Sequence, residues 1–439
     1  MKFYPTSVLE TGYDILFFWV ARMVMMGLEF TDRVPFHTVY LHGIVRDGEG
    51  RKMSKTTGNV VDPIDTMDMY GCDALRYSLV VGSSPGQDVL LDADRVKISR
   101  NFVNKLWNAG KYIDNSLQGL SPHEMDGLAI EATGLPMSEA ELASIPLAER
   151  YIISRCHEVV HAVTVSLEKY QFAECGKIIQ EFLWDEFADW YIEISKTRNH
   201  SEESRCSYLA SRRALVYVWD RCLRLTHPFM PFITETLWQC IPHNGDTLML
   251  SPWPDKCDGK LPVDELAIVL FSEIKAAVKS IRNTRSEHNV EPKKRIGARI
   301  VLKGAESHIY AEAFRAEKKS IELLAKIDSS DLEIIDSSDC ADYLDRIDSK
   351  QYVRIVVSQL CEVLIPVATM VDREKEISRI QAQIEKLQGS ICALQQRLSN
   401  EGFVRNAKPD VVNKFRVNLI EQEEQLSVLK SSLSDILSS

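Results

Sequence analysis

The sequence predicts a multidomain protein that joins α/β and all-α parts: a mixed strand–helix segment, a helical bundle, a small α/β domain and a C-terminal antiparallel coiled-coil arm. Three observations predict it. The chain has 439 residues, too many for one ordinary core, and calls for about two to four domains. From about 97 to 245 apolar residues recur at helical spacing. From 377 onward they alternate spacings of three and four, the rhythm of a coiled coil.

In the first segment, residues 38–45 (TVYLHGIV) are β-branched and apolar, with Pro35 before and Asp47-Gly48 after, and predict a buried strand ending in a turn. A polar loop, 47–59, follows. Asp62 as N-cap and Pro63 at the first helical position then open a helix, with Asp65 in its first turn. Gly71 stops that helix, and Asp73 is the expected cap of the next, 74–81. In the bundle, Ile98, Phe102, Leu106 and Trp107 share helical spacing, as do Phe182, Phe187, Trp190 and Ile194, then Leu215, Trp219 and Leu223. Trp184, Trp190, Trp219 and Phe229 are assigned to the core, and 118–146 reads as a polar connector.

Composition breaks at Pro252-Trp253-Pro254. A helix at 266–284, a strand at 297–302, a helix at 305–326 and strands at 332–335 and 352–357 then predict a small α/β domain. In the arm, Ile377, Ile380, Ile384, Leu387, Ile391, Leu394 and Leu398 form one seam; Val412, Phe415, Leu419, Leu426, Leu429, Leu433 and Ile436 form the other, with polar Gln422 on it. Two helices of about 25 residues would reach about 40 Å at 1.5 Å per residue.

The balance of 45% hydrophobic and 26% charged residues is that of an ordinary globular protein. A net charge of −11 argues against a generic polyanion binder, yet leaves room for a local basic stripe. The stretch 397–416 is such a stripe: Arg397, Arg405, Lys408, Lys414 and Arg416 face only Glu401 and Asp410, and Phe403 is available to stack on a base. A solvated hairpin tip is the plainer reading of the same residues. The ten cysteines stand singly with no C-x-x-C, as reduced core thiols do. His37 and His42 are five apart, opposite faces of a strand, so no structural metal is expected. The most apolar run, 13–28, is interrupted by Asp14 and Arg22, short of a membrane span. The first residues carry no targeting pattern.

The strongest local signal is Lys52-Met53-Ser54-Lys55-Thr56, two lysines in a polar loop between a strand and a capped helix, with Gly58 and Asn59 to shape it. When a carboxylate attacks the α-phosphate of ATP, charge builds on the departing pyrophosphate, and lysines on a mobile loop can stabilise it as it develops. An isolated K-x-x-K is most often only a solvated turn. Here its surroundings resemble the class I aminoacyl-tRNA synthetases, whose loop is K-M-S-K-S; Thr56 keeps the final hydroxyl. Leu41-His42-Gly43 resembles the family's adenosine-contacting H-G pair. Asp73-Ala74-Leu75-Arg76 resembles its D-A-L-R element. Thr11-Gly12-Tyr13-Asp14 with Trp19 resembles the stretch lining the amino-acid and adenylate pocket. All stand in family order within 76 residues. The phrases at 182–193 (FLWDEFADWYIE) and 225–235 (LTHPFMPFITE), with the arm, resemble the valine and isoleucine branch, and the arm the valine side of it.

The resemblance spans essentially the whole chain. It implies part of a Rossmann-type catalytic domain at 1–72, a stem-contact connector at 73–96, a helical anticodon-binding domain at 97–255, the α/β domain at 262–370 and a tRNA-binding arm at 372–439. It implies catalytic roles for Lys52 and Lys55. ATP would be bound by His42, Gly43, Lys52, Met53, Ser54, Lys55 and Thr56, and the amino acid by Asp14 and Trp19. Arg397, Phe403, Arg405, Lys408, Lys414 and Arg416 would contact tRNA. The implied activity is ATP- and Mg²⁺-dependent activation of valine and its transfer to the valine tRNA, by a monomer of the cytoplasm or an organelle matrix. No H-I-G-H motif occurs in the chain, and there is no room for the inserted domain that hydrolyses mischarged products. The expectation is therefore a truncated chain, inactive alone, with an apolar face exposed in its first 70 residues. Two readings compete with it: a non-catalytic tRNA-binding module and an isoleucine-type fragment.

Overall fold

A computed structural model of the chain describes residues 3–54, 56–81, 83, 85–133, 139–198, 205–254, 261–336, 351–370, 373–399 and 409–438. It divides into two compact units, Met1–Ala276 with Ile309–Leu324, and Ala277–His308 with Ala325–Ser439.

The first unit opens with two parallel strands, β1 (Thr6–Gly12) and β2 (Phe36–His42), in register from Thr6↔Phe36 to Gly12↔His42. Between them lie a short 3₁₀ turn, a π turn at Leu16–Val20 and helix α1 (Ala21–Thr31). The expected buried strand at 38–45 is corrected on two counts. It starts at Phe36 and stops at His42, because the Ile44 amide turns to the Asp88 carboxylate (2.8 Å) instead of a neighbouring strand. Only Phe36 of it is buried, since among the described residues this sheet has two strands. A second parallel pair, β3 (Val45–Arg46) and β4 (Val89–Leu90), follows.

Asp62 caps α2 (Pro63–Tyr70) as expected: its carboxylate accepts the Ile64 amide at 2.8 Å, with Pro63 at the first position. Gly71 ends the helix at φ 91° and heads α3 (Cys72–Val80). Asp73 is therefore inside α3, not its cap. Long α4 (Ala93–Leu117) then enters the bundle, capped by Asp92. The expected polar connector at 118–146 holds two helices, α5 (Pro122–Thr133) and α6 (Glu139–Ser144). The signal was Ser121-Pro122-His123-Glu124: the Ser121 amide and hydroxyl both donate to the Glu124 carboxylate, a capping box with proline at the first position.

The bundle continues with α7 (Leu147–Glu168), α8 (Phe172–Glu181), a π-helical stretch at Phe182–Tyr191, short α9 (Ile192–Ser195), α10 (Arg205–Thr226) and α11 (Pro231–Trp238). The core centres on α10, buried almost continuously from Ala214 to Thr226. One buried ion pair lies within it: Arg224 grips the Asp220 carboxylate (2.8 and 3.0 Å), which also accepts the Trp238 indole N–H (2.8 Å). Trp190, Trp219 and Phe229 are core residues; Trp184 is only half-buried, with Lys105 over its ring. Helix α12 (Glu265–Glu287) follows. The expected single helix at 305–326 is broken into α13 (Ser307–Ala316) and α14 (Lys318–Ala325). The break falls at Glu317, whose buried carboxylate accepts from Arg198 (2.8 Å) and the Ala148 amide (3.2 Å).

The second unit holds a four-stranded sheet in the order β6-β5-β8-β7: β5 (Ile296–Leu302), β6 (Ile327–Ile335), β7 (Tyr352–Val356) and β8 (Cys361–Pro366). β8, which the sequence reading lacked, is buried along most of its length and pairs antiparallel with both β5 and β7. The arm comprises α15 (Arg373–Ser399) and α16 (Pro409–Ser438), 27 and 30 residues that pack together. Ile384, Ile391 and Leu394 are buried in their seam.

Candidate active site

The parallel register of β1 and β2 brings Gly12 beside His42, so the Thr11–Asp14 and His42-Gly43 motifs meet at adjacent strand ends. A side chain at Gly12 would lie 2.7 Å from Asp14 Oδ1 and 3.6 Å from His42 Cε1. His42 is exposed; its Nδ1 lies 2.8 Å from the Gly43 carbonyl and its Nε2 3.1 Å from Glu10. Gly43 is buried, and a Cβ there would come within 1.8 Å of the Gln87 carbonyl oxygen. Next door, Asp88 accepts from the Ile44 amide and from Arg46, and these hold its carboxyl below its usual range; the Tyr13 hydroxyl adds to the effect.

The lysine loop grows from this point. Lys52 forms an isolated antiparallel bridge with Arg46, which anchors the loop's start to β3. Asp47 closes a turn: its backbone pairs with Arg51, and its carboxylate accepts from the Arg51 amide (2.8 Å), the Glu49 amide (3.1 Å) and the Arg51 side chain (3.0 Å). Asn59 reaches back from the far end. Its amide nitrogen donates to Asp47 Oδ2 (2.8 Å) and the Lys52 carbonyl (3.3 Å); its oxygen accepts from the Ser54 amide (3.0 Å) and the Thr57 hydroxyl (2.6 Å). Asn59 and then Arg51 draw the Asp47 pKa down to about 2. The Ser54 hydroxyl sits 2.8 Å from that of Thr56 and 2.9 Å from that of Thr57. Gly58 turns at φ 68°, with open space where a side chain would stand. Lys52 is exposed and Met53 half-buried, while Lys55 lies outside the described residues.

Behind the loop, α3 is locked to the bundle by polar ends of opposite kind. The Asp73 carboxylate accepts the Phe232 (3.3 Å) and Ile233 (2.6 Å) amides and so caps α11, far away in sequence. One helical turn on, Arg76 donates to the Pro228 and Phe229 carbonyls. The Asp-Ala-Leu-Arg element and the 225–235 phrase are thus two halves of one interlock. Tyr77 adds a bond to the Gly176 carbonyl (2.9 Å), and Tyr40 of β2 packs on Tyr170 and Phe172. Sequence reasoning missed Asp47, Asp88 and the reach of Asp73. Only Asp47 announced itself, as the first residue of an Asp-Gly turn.

Trp19 and Asp14 are both exposed; Trp19 has 52% of its surface open, beside Phe17 at 86% and Phe18. Met25, Met26 and Phe30 of α1 are exposed too. In the arm, Arg397 and Lys414 are exposed on α15 and α16. Phe403, Arg405 and Lys408 lie outside the described residues, as does the side chain of Arg416. No described helix is long and apolar enough to cross a membrane.

Three family models match the chain in order: tRNA synthetases class I (I, L, M and V) over residues 1–92, the anticodon-binding domain of tRNA ligase over 149–302, and the valyl tRNA synthetase tRNA binding arm over 372–437. The chain is 43% identical over 434 residues to a chloroplastic/mitochondrial valine–tRNA ligase of Arabidopsis thaliana, covering 98% of this chain and 43% of the relative. It is 37% identical to the valine–tRNA ligase of Syntrophotalea carbinolica, covering 99% and 45%. Among solved structures, the Agrobacterium radiobacter K84 agnB2 LeuRS–tRNA–LeuAMS ternary complex matches 72% of this chain and 35% of its own, at 16% identity and a TM-score of 0.45. The chain spans slightly under half the length of the curated relatives it matches.

Proposed function

The chain belongs to the valine–tRNA ligase family of class I synthetases, and on that premise we propose that it serves the ATP-dependent joining of valine to its tRNA. The observation that carries this reading is the tiling of the three matches along one chain, the first of which spans the lysine loop. In this reading the strand ends at Gly12 and His42-Gly43 floor the adenylate site of a Rossmann-type domain. Lys52 and Lys55 meet the developing charge on pyrophosphate, where a preset donor is worth most. Met53, Ser54 and Thr56 shape that contact. Mg²⁺ would accompany ATP as part of the substrate; among the described residues no His/Cys/Asp/Glu cluster fits a resident metal. Asp14 takes the ammonium of valine and Trp19 covers its side chain.

The bundle and the arm read the tRNA. Phosphate contacts from Arg397, Arg405, Lys408, Lys414 and Arg416 give affinity that salt weakens, and Phe403 offers a stacking face. A second reading, a tRNA-binding module without catalysis, draws on the exposure of Trp19 and Phe17. Both share one test. The purified chain is titrated with valine tRNA and with a non-cognate tRNA at two salt concentrations. Selective binding that weakens with salt is expected; indiscriminate binding overturns the valine assignment. Valine- and ATP-dependent pyrophosphate exchange by the same chain would overturn the module reading; its absence is expected under either, since the chain spans under half the length of its relatives.

A further inference from the structure

We propose that Asp47 and Asn59 are positioning residues: their side chains form a clasp that presets the 52–54 segment, so that the lysine loop meets a polyphosphate already folded. The geometry singles out this pair. A loop fixed by backbone turns alone would leave its two ends independent. Here one carboxamide spans them, and every polar atom of it is engaged: two donations, to Asp47 and to the Lys52 carbonyl, and two acceptances, from Ser54 and Thr57. Asp47 in turn is fixed by two backbone amides and by Arg51. The chain from turn to loop end is therefore one connected network that Asn59 joins from both sides. Lys52 itself is held by its backbone, through Arg46 and Asn59, while its side chain remains exposed. A segment ordered before its ligand arrives loses less conformational freedom on binding. The clasp thus supplies preorganisation, not contact. This inference rests on the reading of the loop as a polyphosphate contact.

The test uses the full chain and tryptic cleavage after Lys52, followed by mass spectrometry. Asn59→Asp sets two carboxylates against each other; Asp47→Asn removes the acceptor charge. The reciprocal exchange, Asp47→Asn with Asn59→Asp, keeps the net charge and rebuilds the contact between the two side chains with the amide on the other side, at the loss of the donations to the Lys52 carbonyl and from the Arg51 side chain. Each single variant is expected to speed cleavage about tenfold, the scale of one lost hydrogen-bonded contact, and the exchange to be slower than either single variant, part of the way back to the original rate. Asn59→Ala, which introduces no charge, is expected to behave like Asn59→Asp, and cleavage within α4 serves as the control for global unfolding. Single variants cleaved at the original rate, or an exchange variant as fast as the faster single, would overturn the clasp.

Tripolyphosphate added to the same assay tests both ideas separately. Protection of the unsubstituted chain supports the polyphosphate reading. The concentration giving half protection is then expected to rise about tenfold in Asn59→Ala and to recover in part in the exchange variant; an unchanged value in Asn59→Ala would overturn the positioning role. No protection of the unsubstituted chain would overturn the polyphosphate reading, and the cleavage rates would still decide whether the clasp exists.

Discussion

Trp19 and Trp219 stand in equally apolar stretches, one after Phe17-Phe18, the other after Val216-Tyr217-Val218. Trp219 is completely buried and stacked on Phe187 at 5.8 Å, while Trp19 leaves half its surface in water. The difference lies not in the side chains but in what their elements are given to pack against. α10 is surrounded by α4, α5, α7, α8 and α11. Among the described residues, the stretch from Thr6 to His42 around Trp19 has two strands and one α-helix, and a single layer cannot cover both of its faces. Hydrophobicity states which residues would gain from burial; topology decides which of them obtain it.

The comparison is sharpest at the tryptophans themselves. Trp219→Ala is expected to cost about 3–5 kcal/mol, the range for a large buried aromatic. Trp19→Ala should cost less than about 1 kcal/mol, as for a half-exposed residue. Urea unfolding of the two variants measures both, and equal costs would break the contrast.

Histidine extends it. His42 is exposed at a strand end, whereas His157 is buried between the Pro262 carbonyl (2.5 Å) and the Tyr217 hydroxyl (2.7 Å). Burial lowers the His157 pKa to about 4. A histidine depressed in the fold is neutral there and charges more readily when unfolded. Its contribution is therefore complete above the unfolded value near 6.5 and is lost as pH falls from there toward 4. The loss should approach about 3 kcal/mol. Unfolding at pH 7.5 and 4.5 reads it, and His157→Gln should remove that part of the slope.

A smaller effect than at Trp219 or His157 lies at the join between the regions. Asp73→Ala removes the cap of α11 and should cost about 1–2 kcal/mol, while Asp73→Asn, which keeps an acceptor, should cost less. A thermal midpoint unmoved by Asp73→Ala would mean that α11 does not depend on it.

What was legible in the sequence was whatever local chemistry decides. Asp62-Pro63 fixed the start of α2, Gly71 its end, and the heptads of the arm their helices. The capping box at Ser121–Glu124 is equally local, but its surroundings are polar and give no apolar stripe to mark a helix. Three features were not readable in this way. β8 is short, and its partner on one side, β5, is distant in the chain. Asp73 has every mark of a cap for its own helix, and nothing in its neighbourhood points to Ile233. The loop motif at 52–56 was plain, yet the residues that hold it, Asp47 and Asn59, are joined by side-chain geometry that no spacing rule encodes.

Gly43 carries a consequence for reading descent. Beside it the chain passes so close at Gln87 that any larger residue would collide with backbone, whatever the site holds. Selection would keep a glycine there in a lineage that had lost nucleotide binding as firmly as in one that kept it. Its persistence among descendants would record a crossing of two strands of chain, and the exposed His42 would be the better test of the proposed nucleotide contact.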